Sequence, residues 1–473
     1  MPPRKQHTPN SNTPLFIVNS SAKIDPASRK QIRSHVMRGK NRKRVDLSTK
    51  PSFRSWINDC QVSDYLPLPQ SIPPRVGNDL SHIAFIIPLK PYMQDLMFQW
   101  FTVIKQAVYP VETCVQPDSH QWVEYLSYDQ AYLHSVLFST HAFFDWSRSA
   151  KIGDVTMHHL NTCIVSLQQN LLNACLAVSD STITTVTTLA MMADLFGDYE
   201  DERKHIEGLF KIVEVRGGIR ALQYNPQLQS KVLRGDLGLA LSTGSKPLFF
   251  SEGFSWEPYL YSQTHSVSPN KSNSSTPTSD IMMPYITDPR LLNIYLDLRE
   301  FSRAANLAIQ IGTKIGAAEY LETLVSVQYR LLALQHECGD PPVSTEDGKL
   351  LRVGMLAFTT TTFLHVKGLP FKFPHLQDQV RECCQGLDTQ KHSKKLELWF
   401  LFVAYISALG KNGTEEDERM LVEKGREIAT GMKAQWKGKI GWNEVRKVLI
   451  EVMWIDWVHS EYGRVFLDKL AVC

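Results

Sequence analysis

The stretch from residue 396 to 410 reads LELWFLFVAYISALG, and it indicates the fold class more clearly than any other part of the chain. Only Glu397 is charged, and apolar side chains fall on almost every side of a helical projection. A helix that is apolar all round belongs in the middle of a bundle rather than on its surface. The stretch therefore predicts an all-α body in which other helices surround this one.

Helical spacing continues on both sides of this stretch, because apolar residues recur three, four or seven positions apart. Strand-like alternation with paired turn signals is scarce, so we expect a multi-helix bundle or an array of helical hairpins. Three sets carry the pattern: Trp122, Leu126, Leu133, Val136, Leu137, Phe143 and Phe144; then Met157, Leu160, Ile164, Leu167, Leu171 and Leu172; then Val445, Val448, Leu449, Val452 and Ile455.

Two local patterns give further helix predictions. The run from Thr182 to Thr188 favours a strand by propensity, but the apolar residues that follow it keep helical spacing, so we predict a helix. Thr414 precedes three acidic residues, Glu415 to Asp417, which resembles a capping box at a helix start.

Composition divides the chain into three parts. Residues 1–50 form a basic head rich in Pro, Asn, Ser and Thr, which we expect to be disordered apart from a short helix over 26–38. Residues 51–84 contain LPLPQSIPP and are typical of a linker. Residues 85–473 form the helical body, interrupted by a polar segment at about 262–282 that we expect to be a disordered loop.

Charge is distributed unevenly between these parts. The basic head contains twelve Lys and Arg against two acids, a net charge of +10, whereas the remaining residues contain 39 against 46, or −7. Such an asymmetry points to a polyanion or an import receptor as the partner of the head. No stretch approaches the roughly 20 apolar residues that span a bilayer, and the start lacks a secretion signal. The eight cysteines are scattered, which is typical of reduced thiols inside the cell.

Three interpretations of the basic head remain open. It could be a nuclear-import signal, it could contact DNA phosphates and release counterions, or it could be a solvated tail. Reading a base sequence would need an element that docks in a groove, and one marginal helix is a poor candidate. The residues for import or phosphate contact are Arg29, Lys30, Arg33, Arg38, Lys40, Arg42, Lys43 and Arg44.

Signs of reaction chemistry are weak. The sequence has no H-E-x-x-H, no paired Cys/His spacing, no G-x-S-x-G and no phosphate loop. The adjacent histidines His158 and His159 point about 100° apart on a helix and cannot easily share an ion. We therefore predict no metal, no cofactor and no catalytic residue, while a site assembled from dispersed residues such as His158, Glu207 and Asp236 stays as a lesser alternative.

Three stretches carry a family resemblance. They are HHLNTCIVSLQQNLLNACLAVSDSTITTVTTLAMMADLFGD (158–198), HIEGLFKIVEVRGGIRAL (205–222) with LQSKVLRGDLGLALSTGSKPLF (228–249), and VLIEVMWIDWVHSEYGRVFL (448–467). Together they resemble the helical regulatory domain of fungal zinc-cluster transcription factors, the subgroup with a signature like H-x-x-G-x-x-x-[IV]-x-x-x-R-G-G. The head from Phe16 to Arg44 is also similar to that of relatives carrying this domain.

The resemblance implies a nuclear protein that controls transcription through an all-helical regulatory domain. This sequence departs from the family in one respect. Cys60 is the only cysteine among the first hundred residues, so the six-cysteine zinc cluster cannot be built. The body could then serve as a non-DNA-binding scaffold or transcriptional cofactor, pair with a DNA-binding partner or a second copy, or rely on the basic head for DNA.

The signature residues that match are His205, Gly208, Arg216, Gly217 and Gly218. We interpret them as structural. Gly208 would allow close approach of helices, Arg216 would stack or form an ion pair in a helix–helix groove, and the glycine pair would end the helix, with Gly217 in a left-handed conformation.

Overall fold

The computed structural model describes residues 85–100, 104, 121–149, 151–250, 255–258, 260, 286–313, 315, 317–336, 345–364, 372–387, 393–410, 412–432 and 441–471. These residues belong to one compact unit that spans Phe53–Cys473. Within the described ranges the chain is helical and contains no β-strand, so the all-α prediction is confirmed. None of the described helices is long and apolar enough to cross a membrane.

Sixteen α-helices are present in the described part of the chain. A 3₁₀ turn lies at Ile219–Leu222, and π-helical turns lie at Thr360–Leu364 and Tyr405–Leu409. The helices are α1 Pro91–Gln99, α2 Gln121–Tyr128, α3 Gln130–Ser149, α4 Asp154–Leu171, α5 Ala174–Ala177, α6 Asp180–Phe196, α7 Tyr199–Val215, α8 Pro226–Thr243, α9 Pro289–Gln310, α10 Ala317–His336, α11 Glu346–Thr359, α12 Pro374–Gln385, α13 Lys394–Ala404, α14 Glu415–Met432, α15 Trp442–Val452 and α16 Asp456–Ala471.

Helix α13 lies in the centre of the main core, as its composition predicts. Every side chain from Leu396 to Ala404 is buried, and neighbouring helices α11, α14 and α15 contact it. Its tryptophan Trp399 is fully buried and donates its indole N–H to the carbonyl oxygen of Met453 at 2.5 Å. A second, smaller core joins α1, α2 and α3 around residues such as Met97, Leu133 and Leu137.

The junction between α15 and α16 is held by side chains from other helices. Three non-helical residues, Met453 to Ile455, separate the two helices. Asn306 of α9 donates to the carbonyl oxygen of Trp454 at 2.6 Å and accepts from the backbone N–H of Asp456 at 2.8 Å. Trp399 of α13 donates to the carbonyl oxygen of Met453 in the same break, so α9 and α13 both fix the C-terminal hairpin.

Two further sequence predictions are confirmed at helix starts. The threonine run lies inside α6, where Ser179 caps the N-terminus by accepting from the N–H of Thr182. Thr414 and Asp417 form a reciprocal capping box at α14: the Thr414 hydroxyl accepts from the Asp417 N–H at 3.1 Å, and the Asp417 carboxylate accepts from the Thr414 N–H at 2.8 Å. Both helices therefore begin where local chemistry satisfies their first N–H groups.

Helix α4 differs from its sequence prediction in the direction of its apolar stripe. Of the six residues in that stripe only Leu167 is buried, and Leu160 is half-buried. The other four, Met157, Ile164, Leu171 and Leu172, are exposed. The buried residues of α4 are instead Thr156, His159, Cys163, Ser166 and Leu167, of which Thr156 and His159 hydrogen-bond to side chains of α3.

Candidate functional site

The basic residues from Arg29 to Arg44 lie outside the residues that the structure describes, as do the linker at 51–84 and the polar segment at 262–282. The candidate site within the body is therefore the region where α6, α7 and α8 pack together. It contains the signature residues from His205 to Gly218.

The glycine pair ends α7 in the expected way. Gly217 and Gly218 have φ values of 109° and 83°, which side chains with a Cβ rarely adopt. The N–H of Gly218 donates to the carbonyl of Val213 at 2.9 Å, and the N–H of Gly217 donates to that of Glu214 at 3.0 Å. The two bonds satisfy carbonyl groups that the helix end would otherwise leave open.

Arg216 is the centre of a charged cluster that joins the start of α6 to the end of α7. We call it the Arg216 cluster and define it by Asp180, Arg216, Tyr224 and Asn225. The guanidinium of Arg216 pairs with the Asp180 carboxylate and donates to the carbonyl of Val178 at 2.9 Å. It also donates to the hydroxyl of Tyr224 and lies over that ring at 5.4 Å from the centroid.

Asp180 is the acceptor for the whole Arg216 cluster. Tyr224 donates to one of its oxygens, and the amide of Asn225 donates to the other at 3.0 Å. The hydroxyl of Tyr125, on α2, donates to the same oxygen as Asn225 at 3.2 Å. Burial alone would raise the pKa of Asp180, but the hydrogen bonds from Tyr224, Asn225 and Arg216 outweigh it and lower that pKa. The carboxylate is therefore held in its charged form.

The other two signature residues contribute less than their pattern suggests. Gly208 was expected to allow close helix approach, but this prediction is wrong, since a Cβ added there would meet no atom within 4 Å. The close approach occurs instead at Gly235 of α8, where an added Cβ would lie 2.9 Å from Cδ1 of Ile206. His205 is partly buried on α7, and burial lowers its pKa.

At the opposite end of the α6–α7 hairpin, two acidic side chains are buried together. We call Asp194 and Glu202 the acid pair; they are 8% and 2% exposed. An added Cβ at Gly238 would lie 3.8 Å from Oε1 of Glu202 and 4.0 Å from Oδ2 of Asp194, so both carboxyls reach the same point on α8. Together with Arg234 they line a cavity of about 20 Å³. A cavity of this volume has room for about one water molecule.

Burial controls the ionisation of the acid pair. It raises the pKa of Asp194 and, more strongly, that of Glu202, where the charge of Asp194 adds to the effect. Arg234 is itself buried and lies over the ring of Phe363 at 5.2 Å from the centroid. Two like charges in a poorly solvated space disfavour double ionisation, so the pair retains a proton at neutral pH.

A histidine pair joins α3 to α4. The Nδ1 atoms of His134 and His159 are 2.9 Å apart, and Nε2 of His159 is 3.2 Å from the hydroxyl of Tyr92. Burial lowers the pKa of both imidazoles to about 4, so at neutral pH one donates through its Nδ1–H and the other accepts. His158, which the sequence places beside His159, is exposed.

A Thr–His–Asp arrangement at the α3–α4 turn has a structural geometry. The Thr156 hydroxyl is 2.6 Å from Nδ1 of His141 and donates to the Asp145 carboxylate at 2.5 Å. Asp145 also accepts from the N–H of Gly153 at 2.8 Å, just before α4 begins. Because Thr156 is fully buried and its proton is committed to Asp145, its oxygen is not placed to attack a substrate.

The dispersed residues His158, Glu207 and Asp236 are not assembled into a site. His158 and Glu207 are exposed on α4 and α7. Asp236 is buried on α8 and accepts from the N–H groups of Leu248 and Phe249 and from the hydroxyl of Tyr329, at 2.8, 3.0 and 2.7 Å. These bonds tie α8 to the segment after it and to α10, although burial still raises the pKa of Asp236 to about 6.

Across the described ranges, no three His, Cys, Asp or Glu side chains are grouped so that they could hold a metal ion. Comparisons with protein-family models, with curated proteins and with solved structures find no match to this chain. Within the described ranges, the α6–α8 region thus contains the Arg216 cluster and the acid pair, while the histidine pair lies apart from it between α3 and α4.

Proposed function

We propose that this chain is a nuclear regulator of transcription whose helical body acts by binding other macromolecules. The observation that carries the proposal is the separation of charge: a basic head of +10 precedes a remainder, residues 51–473, of −7. A positive segment of this kind suits an import receptor or a polyanion, while the acidic body does not.

The architecture of the helical body also supports this proposal. The body is all-α, and the signature that resembles a fungal regulatory domain supplies helix ends and an interhelical ion pair. Among the described residues, the Thr156 hydroxyl donates to Asp145 and the Tyr329 hydroxyl donates to Asp236, so these polar groups connect parts of the fold instead of facing a substrate. Such a body is suited to recognition.

The direct test compares charge-neutralised variants of the full chain. Changing Arg38, Lys40, Arg42, Lys43 and Arg44 to Gln should abolish nuclear accumulation of a fluorescent fusion and occupancy in chromatin immunoprecipitation. The matched control changes five exposed basic residues of the body to Gln, namely Arg203, Lys211, Arg220, Arg419 and Lys447, and should leave both readouts intact. Equal nuclear accumulation of the two variants would contradict an import role.

Direct DNA contact is measured separately, with the same two variants and the purified chain. Each lost phosphate contact should reduce the slope of log K against log salt by about 0.9 and weaken binding to every sequence alike. Absence of DNA binding by the unaltered chain at low salt would remove DNA contact from the proposal.

A second candidate is a scaffold that regulates transcription without touching DNA. It is favoured by the exposed apolar side chains of α4, since surfaces of this kind are typical of protein contacts. Chromatin occupancy that disappears when a DNA-binding partner is depleted would favour this scaffold over direct contact.

A further inference from the structure

Helix α4 exposes an unusually apolar face. Met157, Ile164 and Val165 are 42, 38 and 55% exposed. Leu171 is 44% exposed, and Leu172, which follows the last residue of α4 and keeps a helical backbone conformation, is 89% exposed. At 100° per residue these five side chains fall within about 120° of the helix, together with the exposed amides of Asn161 and Gln168. We call these seven residues the α4 surface.

The α4 surface is more apolar than the side of α4 that faces the core. The buried side carries Thr156, His159 and Ser166, and its apolar members are Cys163 and Leu167. An ordinary surface helix has the opposite arrangement, with its apolar stripe inward and its charges outward. Packing within the body therefore does not explain why the α4 surface is apolar.

Charge is absent from this part of the chain. Residues 155–177 contain no Asp, Glu, Lys or Arg, and Asp154 at the start is the only acid of α4. Depletion of charged residues is characteristic of the central part of protein interfaces. A nucleic acid or a charged peptide would find no complementary charge here, whereas an equally neutral surface would meet no unpaired charge.

The spacing of the apolar residues along α4 is the spacing that suits contact with another uncharged helix. Met157, Ile164 and Leu171 repeat every seven residues, as do Val165 and Leu172. This is the repeat by which two helices remain in contact along their length. An antiparallel pair related by a two-fold axis between positions 164 and 165 places Met157 opposite Leu172 and Ile164 opposite Val165. It also places Asn161 opposite Gln168, so the two amides can hydrogen-bond.

The area is sufficient for a specific contact. With exposed fractions of 38 to 89%, the five apolar side chains present roughly 500 Å² on each copy, so a pair would bury about 1,000 Å² before neighbouring residues are included. We infer that α4 pairs antiparallel with α4 of a second copy of this chain, and that the α4 surface is the contact. This pairing is independent of whether the basic head contacts DNA.

The first test measures the mass of the full chain by sedimentation equilibrium. The unaltered chain should show twice the chain mass, and the double variant Val165→Glu/Leu172→Glu should show the mass of one chain, because four buried carboxylates would oppose the pair. The matched control is Leu307→Glu, which charges a side chain of α9 that is 54% exposed and should leave the dimer intact.

Cross-linking tests the geometry in a chain that retains its apolar surface. In a background where Cys60, Cys114, Cys175, Cys338 and Cys473 are Ser, single Cys variants are treated with a short bifunctional maleimide. Antiparallel pairing predicts efficient cross-linking of Ile164→Cys with itself, and of Met157→Cys with Leu172→Cys when the two are mixed. Met157→Cys alone should not cross-link.

Three outcomes would overturn the inference. One is a monomeric unaltered chain, which would mean that another segment or another protein occupies the α4 surface. The second is a dimer that persists in the Val165→Glu/Leu172→Glu variant while circular dichroism shows it to be folded. The third is self-cross-linking of Met157→Cys without cross-linking to Leu172→Cys.

Discussion

The two ends of the α6–α7 hairpin bury charge in opposite ways. At the end where α6 begins, Asp180 faces Arg216, and each charged group has an opposite charge and several hydrogen bonds. At the end where the helices turn, Asp194 and Glu202 have the same sign and little solvent. The first end lowers the pKa of its acid, and the second raises the pKa of both its acids.

This difference shows that burial by itself does not decide whether a charged side chain stabilises a helix pair. In an ion pair with satisfied hydrogen bonds, the attraction between the charges offsets much of the free energy of desolvation. In a pair of neighbouring acids, repulsion between the carboxylates adds to that free energy instead. The Arg216 cluster should therefore contribute to the free energy of unfolding, and the acid pair should reduce it. Substitutions at the two ends should have opposite signs.

The largest effect is expected at Arg216. Arg216→Ala should lower the free energy of unfolding by about 2–3 kcal/mol, because Asp180 would remain partly buried without its cation. Urea unfolding followed by circular dichroism measures the change. Arg220→Ala, an exposed arginine in the adjacent 3₁₀ turn, is the control and should be near neutral. Equal losses for the two variants would mean that the ion pair does not contribute.

The acid pair should respond in the opposite direction. Glu202→Gln should raise the free energy of unfolding by about 2 kcal/mol at neutral pH, because the amide needs no proton to stay uncharged. The raised pKa means that the folded chain binds more protons than the unfolded chain. The contribution of Glu202 is complete below the ordinary carboxyl pKa of about 4 and is lost as pH rises through its folded-state pKa.

The advantage of Glu202→Gln should therefore grow from about pH 5 to about pH 8. Glu207→Gln changes an exposed carboxyl of the same helix and should show no such trend. A Glu202→Gln variant that is less stable than the unaltered chain at every pH would show that the pair is not repulsive.

The smallest effect is the difference between substitutions of Gly208 on α7 and Gly235 on α8. Gly208→Ala should stabilise the chain by about 1 kcal/mol, since alanine favours a helix and meets no neighbour at this position. Gly235→Ala gains the same backbone preference but forces the buried Ile206 to move, so it should give no increase. Thermal unfolding of both variants measures the difference, and equal stabilisation would contradict the close packing at Gly235.

Local signals in the sequence were sufficient for several features. The apolar stretch around Trp399 predicts a central helix, the Thr414–Asp417 spacing predicts a capping box, and Gly217 predicts a helix end with positive φ. Each depends on neighbours within about one turn, so no knowledge of tertiary contacts is needed.

Features that depend on distant contacts were missed. His134 and His159 are 25 residues apart, and the acid pair becomes a pair only when α6 and α7 pack against Gly238. Periodicity also does not show which side of a helix faces the core. The apolar stripe from Met157 to Leu172 predicts a helix correctly, but most of its side chains are exposed. The side of α4 that is buried is the more polar one, and its hydrogen bonds to α3 are tertiary contacts that periodicity does not show.

The side-chain bonds of Trp399 and Asn306 at the α15–α16 junction have a consequence for dividing the body into fragments. A fragment that stops before residue 441 would leave the indole N–H of Trp399 inside an apolar core without its carbonyl acceptor. It would also uncover the core surface that Val448, Leu449 and Phe466 fill. Shortened versions of the body made for expression should therefore retain the final hairpin, and a protease cut within it should release insoluble material.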